Sequence, residues 1–228
     1  MTEDAAFPVV EALLKSDLFG RVERVRLSGD SPDGDLAIRR DTRCSRWWTR
    51  PIARWLAARE ARALACLDGF ADVPELLQWD GEVLLRSWIE GRPMQEARPR
   101  DPDYFRRANQ LVRRLHRAGV VHNDLAKEPN WLVTTEGDPA LIDFQLAWAP
   151  GRRGAMFRML GREDLRHALK HKRYYCADHL TARERSILSR PGPLSRWWMR
   201  LGKPVYLFVT RRLFRWSDRE GAGDRRFD

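Results

Sequence analysis

Asp124, Lys127, Asn130 and Asp143 are side chains of the types that handle metal and phosphate. An Asp, an Asn and a second Asp are hard oxygen donors of the kind Mg2+ takes, and a lysine among them sets a cation against phosphate. Asp124 and Asn130 lie between two apolar runs, Val120-Val121 and Trp131-Leu132-Val133, a layout that fixes them between packed segments. Read singly, either residue is as easily a turn cap. Read jointly with Asp143, the capping account explains less.

The elements that must position these groups follow from periodicity and turn chemistry. Trp131 to Thr135 and Ala140 to Phe144 flank a Glu136-Gly137-Asp138-Pro139 turn, so an antiparallel hairpin is predicted, with Asn130 and Asp143 at one end. Asp124 arrives on the loop leaving a helix over Tyr104 to Ala118, where Phe105, Ala108, Leu111, Val112 and Leu115 recur at helical spacing and Gly119 is the stop. Upstream, Pro51 to Leu67 reads as a helix with Thr49 as cap and Ile52, Trp55, Leu56, Ala63, Leu64 and Leu67 as its apolar stripe. Glu60 falls on that stripe, where it either meets a buried cation or reaches solvent from the edge. "LLQWDGEVLL" reads as a hairpin about Asp80-Gly81, and Ile89-Glu90-Gly91-Arg92-Pro93 as a hinge. Strands and one helix precede residue 90 and mostly helix follows it. The expected organisation is therefore 1–90, 91–190 and a basic aromatic extension, 191–228, whose end from Ser217 is polar and frayed.

A net charge of +10 over 228 residues points to an anionic partner: nucleotide, nucleic acid or an acidic membrane surface. Three widely spaced cysteines outside any CxxC pair argue against a disulfide framework and for a reducing compartment. No secretory signal and no run near ~20 apolar residues is present, so the expected location is cytoplasmic, with peripheral attachment at the inner face of the cytoplasmic membrane open. Two stretches, "RCSRWWTRPIARW" and "RWWMRLGKPVYLFVTRRLFRW", interleave arginine with tryptophan. They suit the interface of an anionic bilayer; the other reading of the second is a helix docked by its aromatics. Nucleic acid is the weaker partner, since no known binding motif appears. His167, His171, Cys176 and His179 sketch a zinc site, with a spacing unlike that of common fingers.

His122-Asn123-Asp124-Leu125 with Asn130, followed by Asp143-Phe144-Gln145, resembles the catalytic loop and metal-binding motif of the protein-kinase-like superfamily, especially RIO-type kinases and the sugar kinases of lipopolysaccharide core assembly. The resemblance covers most of residues 18 to 180. It implies an α+β, two-lobed fold: a small, mostly antiparallel β lobe with one main helix, then a reduced, mainly helical lobe. It implies ATP and Mg2+ as cofactors, with Asp124 orienting and deprotonating the acceptor hydroxyl, Lys127 neutralising charge on the phosphoryl group, and Asn130 and Asp143 holding the metal. In the first lobe, Phe19-Gly20-Arg21-Val22 resembles the second half of a Gly-rich phosphate loop, although Gly20 equally suits a helix end. Leu36-Ala37-Ile38-Arg39 resembles the strand that carries the nucleotide lysine. Arg39, or failing it Arg40, would pair with Glu60, and the hinge around Glu90 would hold adenine through its backbone.

Departures from the family pattern fall at defined places. One extra residue separates Asp124 from Asn130, while the step to Asp143 resembles the usual one. Arg39 changes the shape of the cation, Gln145 replaces a glycine pivot, and Asn123 replaces the arginine that grips a phosphorylated loop in regulated members. Residues 144–180 hold no Ser or Thr, so that switch, and with it much of the peptide platform, is expected to be missing. Asp164 resembles the aspartate that braces the catalytic loop. The expected function is a phosphotransferase acting on a hydroxyl of a lipid-linked sugar, a lipopolysaccharide or a protein Ser/Thr. The alternative is a pseudokinase that binds nucleotide or scaffolds.

Overall fold

A computed structural model describes residues 8–27 and 35–189. The expectations for the basic aromatic stretch after 190 and for the polar tail lie outside the described residues. One compact unit runs to Glu184, and the site lies within it.

The first layer is a five-stranded antiparallel sheet, β1 (Val9–Asp17), β2 (Gly20–Arg26), β3 (Leu36–Asp41), β4 (Leu76–Trp79) and β5 (Val83–Ser87), in the order β1-β2-β3-β5-β4. Gly20 opens β2 with φ 124°, and a Cβ there would fall onto the Asp41 carbonyl oxygen. Only glycine fits both demands. The helix-end reading of Gly20 is thereby corrected, because strand β1 and a tight turn precede it. The Asp80-Gly81 turn forms as expected: Asp80 Oδ1 accepts from the amides of Glu82 at 2.8 Å and Val83 at 2.7 Å, the Asx arrangement that Asp favours.

Helix α1 (Arg50–Ala65) packs beside β4 and β5 with Pro51 in its first turn. Thr49 precedes it, but its hydroxyl donates to the carbonyls of Leu18 and Arg46 instead of accepting from the helix. The inward face is Ala53, Ala57, Glu60, Ala61 and Leu64. Ile52 and Trp55, expected in the core, are 51% and 55% exposed. The stripe is rotated because Glu60 is drawn to cations on the sheet and small alanines permit close approach to the strands.

Ile89, Glu90 and Gly91 cross to a second antiparallel sheet, β6 (Arg92–Pro93), β7 (Trp131–Val133) and β8 (Pro139–Leu141), in the order β6-β7-β8. Helices α2 (Met94–Ala97), α3 (Pro102–Arg117), α4 (Ala155–Tyr175) and α5 (Ala182–Ser189) complete the described chain. α3 starts where Asp101 accepts from the Asp103 amide at 2.9 Å and Pro102 fills the first turn. Its buried face, Phe105, Ala108, Leu111, Val112 and Leu115, is the one its periodicity predicts. It packs on α4 and β8 and shares a core with Trp131, Leu141 and Phe144. Each large apolar side chain so buried contributes ~1.5–3 kcal/mol, which makes this core a firm floor under the loop carrying Asp124.

Candidate active site

The β7–β8 hairpin sets the geometry. Trp131 pairs with Leu141, and the Ile142 amide donates to the Asn130 carbonyl at 3.0 Å. Asn130 and Asp143 therefore leave the hairpin at the same end. Asn130 Nδ2 donates to Asp124 twice, to its carbonyl at 2.9 Å and to Oδ2 at 3.0 Å. With the amide nitrogen so used, Oδ1 is the atom Asn130 presents. Lys127 Nζ lies 3.0 Å from the same Asp124 Oδ2. The extra residue of this loop is taken up in a single 3-10 turn, Glu128–Asn130, with Pro129 fixing one φ.

The loop is braced from beneath. Asp164 of α4, 2% exposed, accepts from the amides of His122 at 2.8 Å and Asn123 at 3.0 Å, and His116 Nε2 lies 3.2 Å from it. Asn123 sits in the left-handed region at φ 65°, which asparagine tolerates better than most residues. His122 is fully buried, its Nε2 3.1 Å from the Ile142 carbonyl and its ring against Phe144. His171 Nε2, 2.8 Å from the Leu125 carbonyl, and Tyr175, donating to Glu128 at 2.9 Å, extend the brace.

Asp143 is in the left-handed region at φ 65°. Burial would raise its pKa, but the guanidinium of Arg40, a hydrogen bond from Gln145, and the charges of Arg86 and His122 outweigh it and hold the carboxyl below its ordinary range. The carboxylate is thus kept ionised. Its Oδ1 accepts from Gln145 Nε2 at 2.6 Å.

Glu60, 0% exposed, lies between two arginines: Arg40 Nε is 3.3 Å from Oε2 and Arg86 Nε is 3.1 Å from Oε1. Neither contact is aligned as a hydrogen bond, so charge rather than geometry holds the triad. Arg39 does not reach Glu60. It donates to Glu23 across the sheet at 2.6 and 2.9 Å, because neighbouring residues of a strand point to opposite faces. The pairing with Glu60 passes to Arg40, the alternate. Arg86 was missed by sequence reading, although β5 alternation places it on the face of Ile38 and Arg40.

Asn130 Oδ1 and the Asp143 oxygen that Gln145 leaves unused are hard oxygen donors at the same end of the hairpin, with the Arg40 charge beside Asp143. Among the described residues no group of three His, Cys, Asp or Glu is placed to hold a metal. An ion here would take its other ligands from phosphate and water, as Mg2+ prefers. The residues fit that group. A family model for the RIO domain matches residues 33–176, more than half of the chain. The chain belongs to the RIO domain family. The Rio2 kinase of Chaetomium thermophilum, in a complex described with ADP, Mg2+ and phosphoaspartate, superposes with a TM-score of 0.55 at 17% identity, covering 85% of this chain and 66% of that one. A second structure of that kinase gives 0.56 at 16% identity, covering 81% and 63%. The chain therefore spans less than two thirds of the relatives it matches, and the shared feature is the fold.

Within this RIO domain, three substituted or unanticipated residues converge on the segment after Asp143. Gln145 holds the Asp143 carboxylate, Asn123 Nδ2 donates to the Leu146 carbonyl at 3.0 Å, and Arg59 of α1 donates to the carbonyls of Leu146 at 2.9 Å and Ala147 at 3.0 and 3.1 Å. α1 is thus tied to the segment by hydrogen bonds. Residues 147–154 then lead directly into α4, with Trp148 bridged to Val121. Glu90 is exposed, and its carboxylate accepts from Trp88 Nε1 at 2.8 Å. The four residues of the zinc sketch are not assembled: His171 faces the loop and Cys176 Sγ donates to the Arg100 carbonyl.

Proposed function

We propose that this RIO domain is an ATP- and Mg2+-dependent phosphotransferase that moves the γ-phosphoryl group of ATP to a hydroxyl, with nucleotide between segments 1–90 and 91–190. The observation that carries this reading is Asn130 and Asp143 presenting oxygens at one hairpin mouth while Asn130 also fixes Asp124. Bound Mg2+ would supply charge neutralisation on the phosphates. Asn130 and Asp143 would hold that ion. Arg40, kept in place by Glu60, would meet the phosphates in place of Arg39, and Gly20 would let the β1–β2 turn close on Asp41. The hinge at Glu90 would offer its backbone to adenine. Asp124 would orient the acceptor hydroxyl and take its proton as the new O–P bond forms and the bond to ADP breaks. Lys127, sharing Asp124 Oδ2, would lie where charge on the transferred group develops.

The acceptor we favour is a lipid-linked sugar, as in lipopolysaccharide assembly, at an anionic membrane surface, over a protein Ser/Thr. The short 147–154 connection, which offers little backbone for a peptide to lie along, supports it. Turnover of labelled ATP with membrane extracts as acceptor, in wild type, Asp124→Ala and Asp143→Ala, tests the proposal. Each variant is expected to lower turnover by about 10²-fold or more. Equal turnover in all three would sink the enzyme reading, and nucleotide binding with no turnover would favour a pseudokinase.

A further inference from the structure

The outward side of α1 is unusual for a soluble surface. Trp47 is 82% exposed, Trp48 40%, Ile52 51% and Trp55 55%. Ile52, Trp55 and Arg59 are three and four apart and share one face of the helix. Arg59 lies over the Trp55 ring at 4.6 Å. Leu146, 41% exposed, is tied to this helix through its carbonyl, which Arg59 holds. The helix cannot turn these side chains inward without drawing Glu60 away from Arg40 and Arg86. The apolar face is thus built to stay outside, and exposed large apolar side chains grouped on one helix face and the turn before it suit an interaction site.

Its charge says what the partner is. Residues 43–62 carry Arg43, Arg46, Arg50, Arg54, Arg59 and Arg62 against one carboxylate, Glu60, which is buried. Arg43 and Arg54 have carboxylate partners outside the segment, Asp41 and Glu82. Arg50 and Arg59 donate to backbone carbonyls. With the two carboxylate pairs set aside, Arg46, Arg50, Arg59 and Arg62 leave the rim net cationic. A second copy of this chain would bring the same cationic face to an isologous contact and be repelled. An anionic bilayer fits both features, with indole at headgroup depth and guanidinium on lipid phosphate.

We infer that the outward face of α1 and the turn before it form a docking surface for an anionic lipid bilayer. The inference rests on the lipid-linked reading of the acceptor for its purpose, but docking can be read without turnover, so the two fail separately. The same helix carries Glu60 inward and, through Arg59, holds the segment after Asp143, so docking would bring the site's own helix to the membrane.

The test is sedimentation of the full chain with vesicles of phosphatidylglycerol and phosphatidylethanolamine, and with phosphatidylcholine alone, at low and high salt. Trp47→Ser/Ile52→Ser/Trp55→Ser is compared with wild type and with Val9→Ser/Leu13→Ser, which alters a separate exposed apolar strand. The expected result is salt-sensitive binding of wild type and the β1 variant to the anionic vesicles only, weakened at least tenfold in the α1 variant. Trp47→Ser alone, at the most exposed position, is expected to weaken binding in the same direction and guards against misfolding of the triple variant. Unchanged binding of both α1 variants, or no binding by wild type, overturns the inference. So does an α1-dependent self-association or acidic-protein contact in place of vesicle binding.

Discussion

Asp143 and Glu60 are two carboxylates in one charged cluster, and their surroundings give them different work. Asp143 has an oxygen to offer and is held ionised by Arg40, Gln145 and Arg86. Glu60 is spent on Arg40 and Arg86. Replacing Glu60 by Ala leaves two buried guanidinium groups without their counter-charge, and urea unfolding is expected to show a loss of about 3–5 kcal/mol. At Asp164 the acceptor of two buried amides is at stake. Asp164→Ala is expected to cost about 1–3 kcal/mol for each amide left without a partner, with faster hydrogen exchange at His122 and Asn123 as the local signature. His167 supplies the pH dependence. Burial, with Lys170 and Arg166 nearby against Asp164, lowers its pKa to about 4 from the ordinary 6.5. Because the unfolded chain then binds a proton that the folded chain refuses, stability from this group is full above pH ~6.5 and falls as pH drops toward 4. The loss is on the order of 3 kcal/mol. Urea midpoints compared at pH 7 and pH 5 should converge in His167→Gln, and an unchanged slope would contradict the assignment.

Among the elements, the β7–β8 hairpin and α3 were legible in the sequence because alternation, helical spacing and turn residues all agreed there. The orientation of α1 was not. Side-chain size argued for Ile52 and Trp55 inward, whereas a long-range charge pairing, Glu60 with Arg40 and Arg86, decided the rotation. The choice between Arg39 and Arg40 likewise needed strand register, which one sequence does not contain. Gln145, Asn123 and Arg59 could be read only as departures or surface charges until their contacts with Asp143, Leu146 and Ala147 were known. Those contacts make the segment after Asp143 a fixed element. Gln145→Gly and Arg59→Ala are therefore expected to raise the Mg2+ concentration needed for half-maximal activity several-fold, with smaller effects on maximal turnover measured at saturating Mg2+. Unaltered Mg2+ dependence in both would mean that the segment holds itself.

For the whole molecule, the antiparallel sheet with α1 and the helical part with the second sheet form the α+β, protein-kinase-like fold of the RIO domain family. No helix among the described residues is long and apolar enough to cross a membrane. The net charge of +10 still favours anionic partners, and with Arg40 on the phosphates as proposed, raising the salt concentration should weaken nucleotide binding only modestly, since a largely buried guanidinium is screened less than surface groups. Asn130 and Asp143 are proposed to hold a divalent cation for a nucleotide. Calorimetric titration of ATP into the wild type and Asp143→Asn, each with Mg2+ and with EDTA, addresses it most directly. Binding that tightens at least tenfold with Mg2+ in wild type and loses that gain in Asp143→Asn is the expected result; ATP affinity indifferent to Mg2+ in both proteins would contradict it.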